Sequence, residues 1–416
     1  MIDPTAFKKS LKGKPVALFG LGKSGLATIK WLMDAEIETI VWDDRMRSHH
    51  DSIAAGANVR MFDDEIMAGC ACLILAPGVP LTHPEPHWAV KLAHKHNVEI
   101  IGDIEVLHRC NHEHKTIAIT GTNGKSTTTA LLNHVLNECG NSAVMGGNIG
   151  VPVLSFEPSE KETIFVLEVS SYQIDLSPEF AADIGVLLNV TPDHIDRHGT
   201  FKNYRAVKER LVSRAKISVR GASPKRIQEE LGSEEFPSLP GDHNKQNILA
   251  VIDICNILEI DKNEVLEAVR TFPGLAHRQY LVRTINKVSY VNDSKATNAE
   301  ATSKALDSHD NIFWILGGQA KEGGLDGLEK FVDKIRHAYL IGEAAEEFEP
   351  WMEQNNIDYK VVETLDTAIP IAHKMAQNTS ENATVLLSPA CASWDQFPSF
   401  EARGEAFIKY VEALPE

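Results

Sequence analysis

Several features that would indicate particular classes of protein are missing from this 416-residue sequence. The opening MIDPTAFKKS lacks the apolar segment of a signal peptide, and no apolar run approaches the roughly 18 residues of a membrane span. The six cysteines form no C-x-x-C pair and no plausible disulfide framework for a chain of this length. We therefore expect reduced thiols in a cytoplasmic protein that has no membrane partner.

An excess of basic charge is also missing. The chain carries 41 Lys and Arg residues against 58 Asp and Glu residues, for a net charge of −17. Nucleic acid as a partner is disfavoured, because phosphate backbones need a basic face. Anionic small molecules remain possible ligands, since they need only a few local cations. We expect a monomer that acts on small-molecule substrates.

The sequence does contain a regular alternation of short Val- and Ile-rich runs with helix-period stretches, which is typical of α/β proteins with parallel sheets. Three of the apolar runs end in glycine-rich turns, near residues 20, 121 and 317. Such turns lie at the carboxyl ends of strands, where open α/β sheets bind ligands. We predict three α/β domains, with the limits 1–102, 103–274 and 275–416.

The middle glycine turn, TGTNGKST at residues 120–127, carries the most chemistry. Its glycines let backbone N–H groups approach a phosphate, and the helix that follows offers its positive N-terminus. Lys125 can reach the outer phosphates of a nucleotide, and the Ser126 hydroxyl can hold Mg²⁺. The strict Walker A spacing is not met, because Ile119 stands where the first glycine belongs. Strand, Gly-x-x-Gly-Lys-Ser and helix together still predict a phosphate-binding loop.

The first glycine turn, GLGKSG from Gly20 to Gly25, matches the dinucleotide fingerprint, and Asp43 follows at about the ribose-binding distance. Read alone, this turn predicts NAD. The same geometry suits any nucleotide diphosphate, and a structural turn without a ligand is the third interpretation.

Two further segments offer side chains that bind metals. Glu168 in LEVSSYQ and His194 in NVTPDHIDRH each follow an apolar predicted strand. Mg²⁺ prefers oxygen ligands, so Glu168 is the easier assignment and His194 the less usual one. A single such residue at a strand end is most often structural. Because both follow the phosphate loop within one α/β unit, we predict a metal site.

The remaining polar segments would each, taken alone, be a helix cap or a polar turn. They are GDHNKQN at residues 241–247, His277-Arg278, and NDSKATN at residues 292–298. We expect Arg278 and Lys295 to bring positive charge to a nucleotide, since a transferring phosphoryl group needs cations around it.

These segments, in this order, resemble the Mur ligase family over nearly the whole chain, and the motifs are highly specific when found together. The resemblance implies a Rossmann-like N-terminal domain that holds UDP, a central ATP-binding domain of the phosphate-loop type, and a Rossmann-like C-terminal domain. It implies an ATP-dependent ligase with one or two Mg²⁺ ions, which forms an acyl phosphate and then joins it to an amine. The pathway implied is cytoplasmic peptidoglycan precursor synthesis, which supports cell-wall formation, cell shape and cell division.

Within that family, the resemblance is to the members that add D-glutamate to UDP-MurNAc-L-Ala, and it implies roles for individual residues. The catalytic residues are Lys125, His194 and Lys208. The UDP-substrate residues are Ser24, Asp43, Asp44, Arg45, Gly78, Asn148, Gln173 and His194. The ATP residues are Thr122, Gly124, Lys125, Ser126, Thr127, Asn244, Asn247, Arg278, Asp293 and Lys295. The D-glutamate residues are Thr297, Lys321, Ser393 and Phe400, and the metal ligands are Ser126, Glu168, His194 and Lys208.

Lys208 has two interpretations. From the sequence alone it is a solvated surface lysine, on the same helix face as Tyr204 at i, i+4. The family resemblance instead matches it to a carbamylated lysine. The sequence departs from the family pattern at two places. The stretch from Lys208 to Gly241 is short, which implies that accessory β structure is missing. Gln279-Tyr280 follows His277-Arg278, where an acidic or amide residue often stands, so the resemblance assigns no role to the second of these positions.

Other functions stay open at this point. A folylpolyglutamate synthase-like ligase, or a Mur ligase with a different amino acid, would share the phosphate loop. The Asn/Asp-x-Pro-Arg motif of relatives that add diaminopimelate or lysine is absent. An NAD-dependent oxidoreductase would use the first glycine turn but leave the Lys125 loop unexplained, and a non-enzymatic nucleotide-binding regulator would leave the acidic and cationic groups unused.

Overall fold

The computed structural model describes residues 2–54, 56–110, 113–157, 162–232, 234–236, 238–320 and 323–415. The chain forms two compact units, of which the first comprises Met1–Glu234 and Asp242–Phe272 and the second Glu235–Gly241 and Pro273–Glu416. No helix in the described ranges has the length and apolarity needed to cross a membrane. The predicted domain limits remain predictions.

The first unit contains two five-stranded sheets in which every strand pairing is parallel. One sheet has the order β3-β2-β1-β4-β5 and the other β10-β9-β6-β8-β7. The strands are β1 Val16–Phe19, β2 Thr39–Trp42, β3 Asn58–Val59, β4 Cys72–Leu75, β5 Glu99–Ile101, β6 Thr116–Thr120, β7 Ala143–Gly147, β8 Ile164–Glu168, β9 Ile184–Leu187 and β10 Ile217–Arg220.

Helices connect these strands, as parallel pairing requires. They are α1 Thr5–Ser10, α2 Lys23–Asp34, α3 Met46–Ala54, α4 Asp64–Gly69, α5 Trp88–Lys95, α6 Asp103–Arg109, α7 Lys125–Glu138, α8 Ser171–Asp175, α9 Ile195–His198, α10 Phe201–Arg214, α11 Pro224–Glu230, α12 Asp242–Ile257 and α13 Lys262–Thr271, with a 3₁₀ turn at Val153–Ser155. The short segment after Lys208 thus contributes one edge strand, β10, to the second sheet.

The strands form because both of their faces are covered. On β1, Val16 and Leu18 pack into one hydrophobic cluster while Ala17 and Phe19 pack into another. A continuous apolar run is what a parallel strand with helices on both faces requires. The strand order reverses between β1 and β4, so the glycine turn after β1 lies at the switch point where such sheets bind ligands.

The second unit has one six-stranded sheet in the order β11-β12-β16-β13-β14-β15, in which only the β11–β12 pairing is antiparallel. Its strands are β11 Tyr280–Ile285, β12 Val288–Asn292, β13 Ile312–Gly317, β14 Ile335–Ile341, β15 Tyr359–Glu363 and β16 Ala383–Leu387. Its helices are α14 Ala299–Ser308, α15 Ala345–Gln354, α16 Leu365–Gln377 and α17 Phe400–Glu412, with a 3₁₀ helix at Glu329–Lys334.

The central strand β13 again alternates between two cores. Trp314 and Leu316 enter one cluster, and Phe313 and Ile315 enter the other. The carboxyl ends of β12, β13 and β16 therefore meet at one edge of a sheet that is buried on both faces. The prediction of an α/β protein with parallel sheets is confirmed.

Candidate functional site

The phosphate loop of the first unit runs from the end of β6 into α7, as predicted. Gly124 is the N-cap of α7 and has a φ of +83°, a conformation that favours glycine. A Cβ at Gly124 would clash with the side-chain oxygen of Asn247, which lies on α12. Helix α12 therefore packs directly against the phosphate loop. The Asn247 side chain also donates a hydrogen bond to the Asn244 side chain at 3.2 Å.

Two lysines converge on this loop. The Nζ of Lys125 donates to the carbonyl oxygens of Gly121 at 2.9 Å and of Thr122 at 2.8 Å. The Nζ of Lys208 donates to the same Gly121 oxygen at 2.8 Å. Lys208 is only 1% exposed, so its interpretation as a solvated surface lysine is wrong. Burial, and then the charge of Lys125, lower the pKa of Lys208 to about 7.

Glu168 ends β8 beside this pair and is 1% exposed. Its Oε1 accepts a hydrogen bond from the Asn148 side chain at 2.8 Å. Its Oε2 is buried and has no hydrogen-bond partner among the described residues. An orphaned buried carboxylate oxygen is costly unless a ligand satisfies it. A hard cation fits that oxygen.

His194 stands in the loop after β9, with a φ of +51°. Its Nδ1 shares a 2.7 Å hydrogen bond with the Tyr172 hydroxyl, and its Nε2 lies 3.4 Å from Asp193 Oδ2. Burial, and then Lys125 and Lys208, lower the pKa of His194 against the opposing pull of Asp193. The imidazole is thus favoured in the neutral form that binds metals.

No cluster of three or more His, Cys, Asp or Glu side chains suited to a metal occurs in the part of the chain that the structure describes. Mg²⁺ sites often use one or two carboxylates, with waters and substrate phosphates completing the shell. The donor set at this site is mixed: the Glu168 carboxylate, the His194 imidazole, and the Ser126 hydroxyl on the first turn of α7. The chemistry of these donors fits a magnesium ion.

Hydrogen bonds fasten the phosphate loop to the loop that carries His194. Thr122 Oγ1 donates to the Thr191 carbonyl, accepts from the Thr191 N–H, and pairs with the Tyr204 hydroxyl at 3.1 Å. The Tyr204 ring in turn lies 4.8 Å from the Lys208 Nζ. Tyr204 and Lys208 share the buried face of α10, as the i, i+4 spacing predicts.

The first glycine turn has the geometry of a nucleotide loop. Gly20 has a φ of +101°, and a Cβ at Gly25 would collide with the Gly20 carbonyl, so α2 packs directly on the strand end. A Cβ at Gly22, by contrast, would meet open space, which leaves the N-terminus of α2 accessible. Ser24 donates to the Asp103 carboxylate at 2.5 Å. Burial raises the pKa of Asp103.

The two aspartates at the end of β2 differ sharply. Asp43 is 4% exposed and accepts hydrogen bonds from the Leu21 N–H and from the backbone and guanidinium of Arg45. Burial raises the pKa of Asp43, but these hydrogen bonds outweigh burial and lower it overall. Asp44 is half exposed and contacts the rings of His87 and Trp88. Asp43 is therefore occupied in shaping the turn, and Asp44 is the more accessible carboxylate.

In the second unit, polar residues gather where β12, β13 and β16 end. Asp293 is buried, and its carboxylate accepts hydrogen bonds from the Ser388 hydroxyl at 2.7 Å and the Gln279 N–H at 3.1 Å. Burial raises the pKa of Asp293 to about 7. The Lys295 Nζ lies 3.8 Å from the centre of the Phe400 ring.

Arg403, on α17, is the largest charged group buried in this unit, at 1% exposed. Its five N–H donors meet five acceptors in three loops: Oγ and O of Ser294, and the carbonyl oxygens of Gly317, Cys391 and Ala392. No acceptor among them is a carboxylate. The guanidinium therefore ties together the turns after β12, β13 and β16.

The other predicted residues have the following local positions. Gln173 forms a capping box with Ser170 at the start of α8, so its side chain is engaged in the helix cap. Gly78 accepts a hydrogen bond from Arg197. Thr127, Arg278 and Thr297 are half-buried, Ser393 is 2% exposed, and Lys321 lies outside the described residues. Roles in ligand binding for all of these residues remain predictions.

Asp103 and Arg403 were not among the predicted site residues, and Arg197 had no predicted role. Asp103 begins a predicted domain, and only its contact with Ser24 reveals it. Arg403 lies in the helical run FEARGEAF, where an arginine is ordinarily solvated. The glycine that follows Arg403 is the one sequence feature that indicates close packing of this helix. The structure gives the reason, because a Cβ at Gly404 would collide with the His277 ring.

A lysine-bearing phosphate loop beside an orphaned carboxylate, in an α/β unit, defines a nucleotide-binding protein of the phosphate-loop class. Family models refine this class. The N-terminal domain of MurD-like Mur ligases matches residues 14–102, the Mur ligase middle domain matches residues 119–227, and the glutamate ligase domain of Mur ligases matches residues 277–391. The chain belongs to the Mur ligase family.

Curated relatives agree along the full length. The UDP-N-acetylmuramoylalanine–D-glutamate ligase of Rhizobium meliloti is 42% identical and covers 100% of this chain and 98% of its own. The enzyme of the same name from Nitrobacter winogradskyi is 43% identical, and the match covers 100% of this chain and 99% of that enzyme. The first alignment spans 461 positions, so the relative contains segments that this chain lacks.

Solved structures support the fold. MurC of Thermotoga maritima superposes with a TM-score of 0.58 at 17% identity, over 96% of this chain and 99% of that one. MurF of Thermotoga maritima, solved in complex with ADP, superposes with a TM-score of 0.53 at 17% identity. The match covers 90% of this chain and 95% of that one.

Proposed function

We propose that this protein is an ATP-dependent ligase that adds D-glutamate to UDP-N-acetylmuramoyl-L-alanine through an acyl phosphate. The single observation that carries the chemistry is the convergence of Lys125 and Lys208 on one carbonyl of the phosphate loop, beside the orphaned oxygen of Glu168. The identity of the substrates is supported by full-length relatives at 42–43% identity that bear this activity in their names.

The reaction must bring together two anions, the substrate carboxylate and the γ-phosphate of ATP. Lys125 supplies positive charge at the phosphate, where it stabilises the transferring group. A carboxylate oxygen bonds to the γ-phosphorus and ADP leaves. The amine of D-glutamate then attacks the acyl carbon, losing a proton, and inorganic phosphate departs.

Ser126, Glu168 and His194 would hold one or two magnesium ions. When bound, Mg²⁺ neutralises phosphate charge and orients the γ-phosphate. Glu168 Oε2 would then gain the partner that it lacks among the described residues. Asn148 holds the other oxygen of Glu168 and so fixes the carboxylate's direction.

Lys208 is proposed to carry a carbamate. The ammonium would first lose a proton, and the neutral amine would then attack the carbon of CO₂, form an N–C bond and release a second proton. The cation would thus become an anionic oxygen ligand. Burial and the neighbouring Lys125 favour the neutral amine that this reaction needs. The carbamate would also replace a repulsion between two lysines by an attraction.

The sugar nucleotide is assigned to the first glycine turn, where the open N-terminus of α2 offers backbone N–H groups to a diphosphate. D-Glutamate is assigned to Thr297, Lys321, Ser393 and Phe400 in the second unit. Ser393→Ala should raise the KM for D-glutamate at least tenfold and leave the KM for ATP within about twofold, because a satisfied carboxylate loses one donor. An unchanged KM for D-glutamate would place the pocket elsewhere.

Phosphate release from ATP, measured with UDP-MurNAc-L-Ala and a panel of amino acids, tests the function. We expect release with D-glutamate and none with L-glutamate or diamino acids. Release with folates and glutamate would favour a folylpolyglutamate synthase-like activity, and release with another amino acid a different Mur ligase. Reduction of NAD would support the oxidoreductase alternative.

We also propose a cytoplasmic location, which the free cysteines support, and a monomer.

A further inference from the structure

Four aromatic rings of the first unit, one of which belongs to the proposed metal ligand His194, form a closed ring of contacts. Tyr172 lies 5.0 Å from His194 and 5.6 Å from His198, measured between ring centroids. Tyr204 lies 6.1 Å from His194 and 5.4 Å from His198. The rings come from α8, α9, α10 and the residue that precedes α9, so the cluster joins separate elements of the fold.

The Tyr172 hydroxyl in this cluster restricts the orientation of the partly exposed His194 imidazole. The side chain of His194 is 46% exposed, so packing alone leaves it freedom to rotate. The Tyr172 hydroxyl engages its Nδ1 at 2.7 Å. The two ring nitrogens point in different directions, so a fixed Nδ1 also fixes Nε2, which lies 3.4 Å from Asp193 Oδ2. Nε2 and that carboxylate oxygen are close enough to serve one cation together.

Tyr172 is itself held in place. The Arg197 guanidinium carbon lies 4.5 Å from the centre of the Tyr172 ring, and the His198 ring stacks on it with an interplanar angle of 23°. Arg197 donates to the three consecutive carbonyls of the 77–79 loop, at 2.9–3.3 Å. His198 pairs with the Ser171 hydroxyl at 3.0 Å. The phenol is therefore anchored to the loop after β4, which carries the proposed sugar-nucleotide residue Gly78.

We propose that Tyr172 is a positioning residue that holds the His194 imidazole with Nε2 directed towards Asp193 Oδ2, where the two atoms can share a cation. A ligating histidine usually needs such a partner on its other nitrogen, and loss of the partner typically weakens metal binding about 10–100-fold. This inference rests on the proposed function, because it takes His194 as a metal ligand.

The test compares Tyr172→Phe with the parent. The variant keeps the ring and its stacking and loses only the hydroxyl. Tyr359→Phe is the matched control, since that hydroxyl bonds only to Glu349 and Glu353 among the described residues of the second unit. The affinity for Mn²⁺ is measured by the electron paramagnetic resonance of the free ion, with ADP present, and is independent of turnover.

We expect Tyr172→Phe to weaken Mn²⁺ binding about tenfold or more, with UDP-MurNAc-L-Ala affinity within about twofold of the parent and thermal stability equal to that of Tyr359→Phe. Unchanged Mn²⁺ affinity in Tyr172→Phe, when His194→Ala weakens it, overturns this inference and leaves the proposed function standing. If the Mn²⁺ affinity is also unchanged in His194→Ala, His194 is not a metal ligand. That result overturns both the assignment of His194 as a ligand and the positioning role of Tyr172.

Discussion

Lys208 in the first unit and Arg403 in the second are both buried to 1% exposure, yet their surroundings are opposite. Arg403 has an acceptor for each of its five N–H groups. Lys208 has two oxygen acceptors, Gly121 O and Thr120 Oγ1, and shares the first with a second lysine. One cation is fully satisfied, and the other is placed against a like charge.

This difference in hydrogen-bond partners indicates that Arg403 stabilises the fold, whereas Lys208 can change its protonation state. Burial lowers the pKa of Arg403 only to about 10, so the guanidinium stays charged at neutral pH and fixes three loops. Burial and Lys125 bring the pKa of Lys208 to about 7, where the amine readily loses its proton. A buried cation with a full set of acceptors holds the surrounding loops together, whereas one placed beside a like charge tends to lose its proton.

The largest effect should come from the lysine that stays charged at the phosphate loop. Lys125→Ala should reduce ligation by roughly 10²–10³ in kcat, because a donor that stabilises transferring charge is lost. Affinity for UDP-MurNAc-L-Ala, measured by calorimetry, should change less than about threefold. Residual activity within tenfold of the parent would remove Lys125 from the phosphoryl-transfer step.

Lys208→Ala should also lose most activity, on the order of 10²-fold. If a carbamate is what the parent uses, formate or acetate should restore part of the activity by supplying the missing anion. Lys125→Ala is the control, since a carboxylate cannot replace a lost cation. Rescue of both variants, or of neither, would contradict the distinction between the two lysines.

Arg403→Met should destabilise the protein by roughly 3 kcal/mol, because buried carbonyls lose their donors. The KM for D-glutamate should rise more than the KM for ATP, since the loop with Ser393 loses its tie. Arg403→Lys should recover part of the stability. Denaturation by urea measures the first effect, and equal changes in both KM values would argue for a global loss of structure.

The smallest effect is a pH dependence of stability. The unfolded lysine titrates near 10.5 and the folded Lys208 near 7, so between these values the unfolded state binds more protons and burial costs more as pH falls. Lys208→Met should therefore be more stable than the parent, and its advantage should be about 3 kcal/mol larger at pH 6 than at pH 9. Urea unfolding in buffer free of CO₂ and Mg²⁺ measures this difference. Arg403→Met should show no such pH dependence.

Much of the fold follows from the sequence. The strand before Gly121, the helix from Lys125 and the strand ending at Glu168 were predicted because apolar period, glycine and helix start agree locally. The pairing of Tyr204 with Lys208 follows from helix geometry. These features depend on neighbours in the chain.

Contacts between distant segments could not be predicted. Nothing near Lys208 in the sequence indicates that its amine meets the Gly121 carbonyl, because that contact depends on how α10 packs against the loop after β6. The three loops held by Arg403 are likewise brought together only by the strand order. The capping role of Gln173 was hidden because its residue type suits a ligand contact equally well.

The formation of an acyl phosphate is the central claim, and isotope transfer tests it most directly. UDP-MurNAc-L-Ala is labelled with ¹⁸O in both carboxylate oxygens and ligated to D-glutamate with unlabelled ATP, and the released phosphate is analysed by mass spectrometry. An acyl-phosphate intermediate should leave one ¹⁸O atom in each released phosphate, because the bridging oxygen departs with phosphorus. Ligation that yields unlabelled phosphate would contradict it.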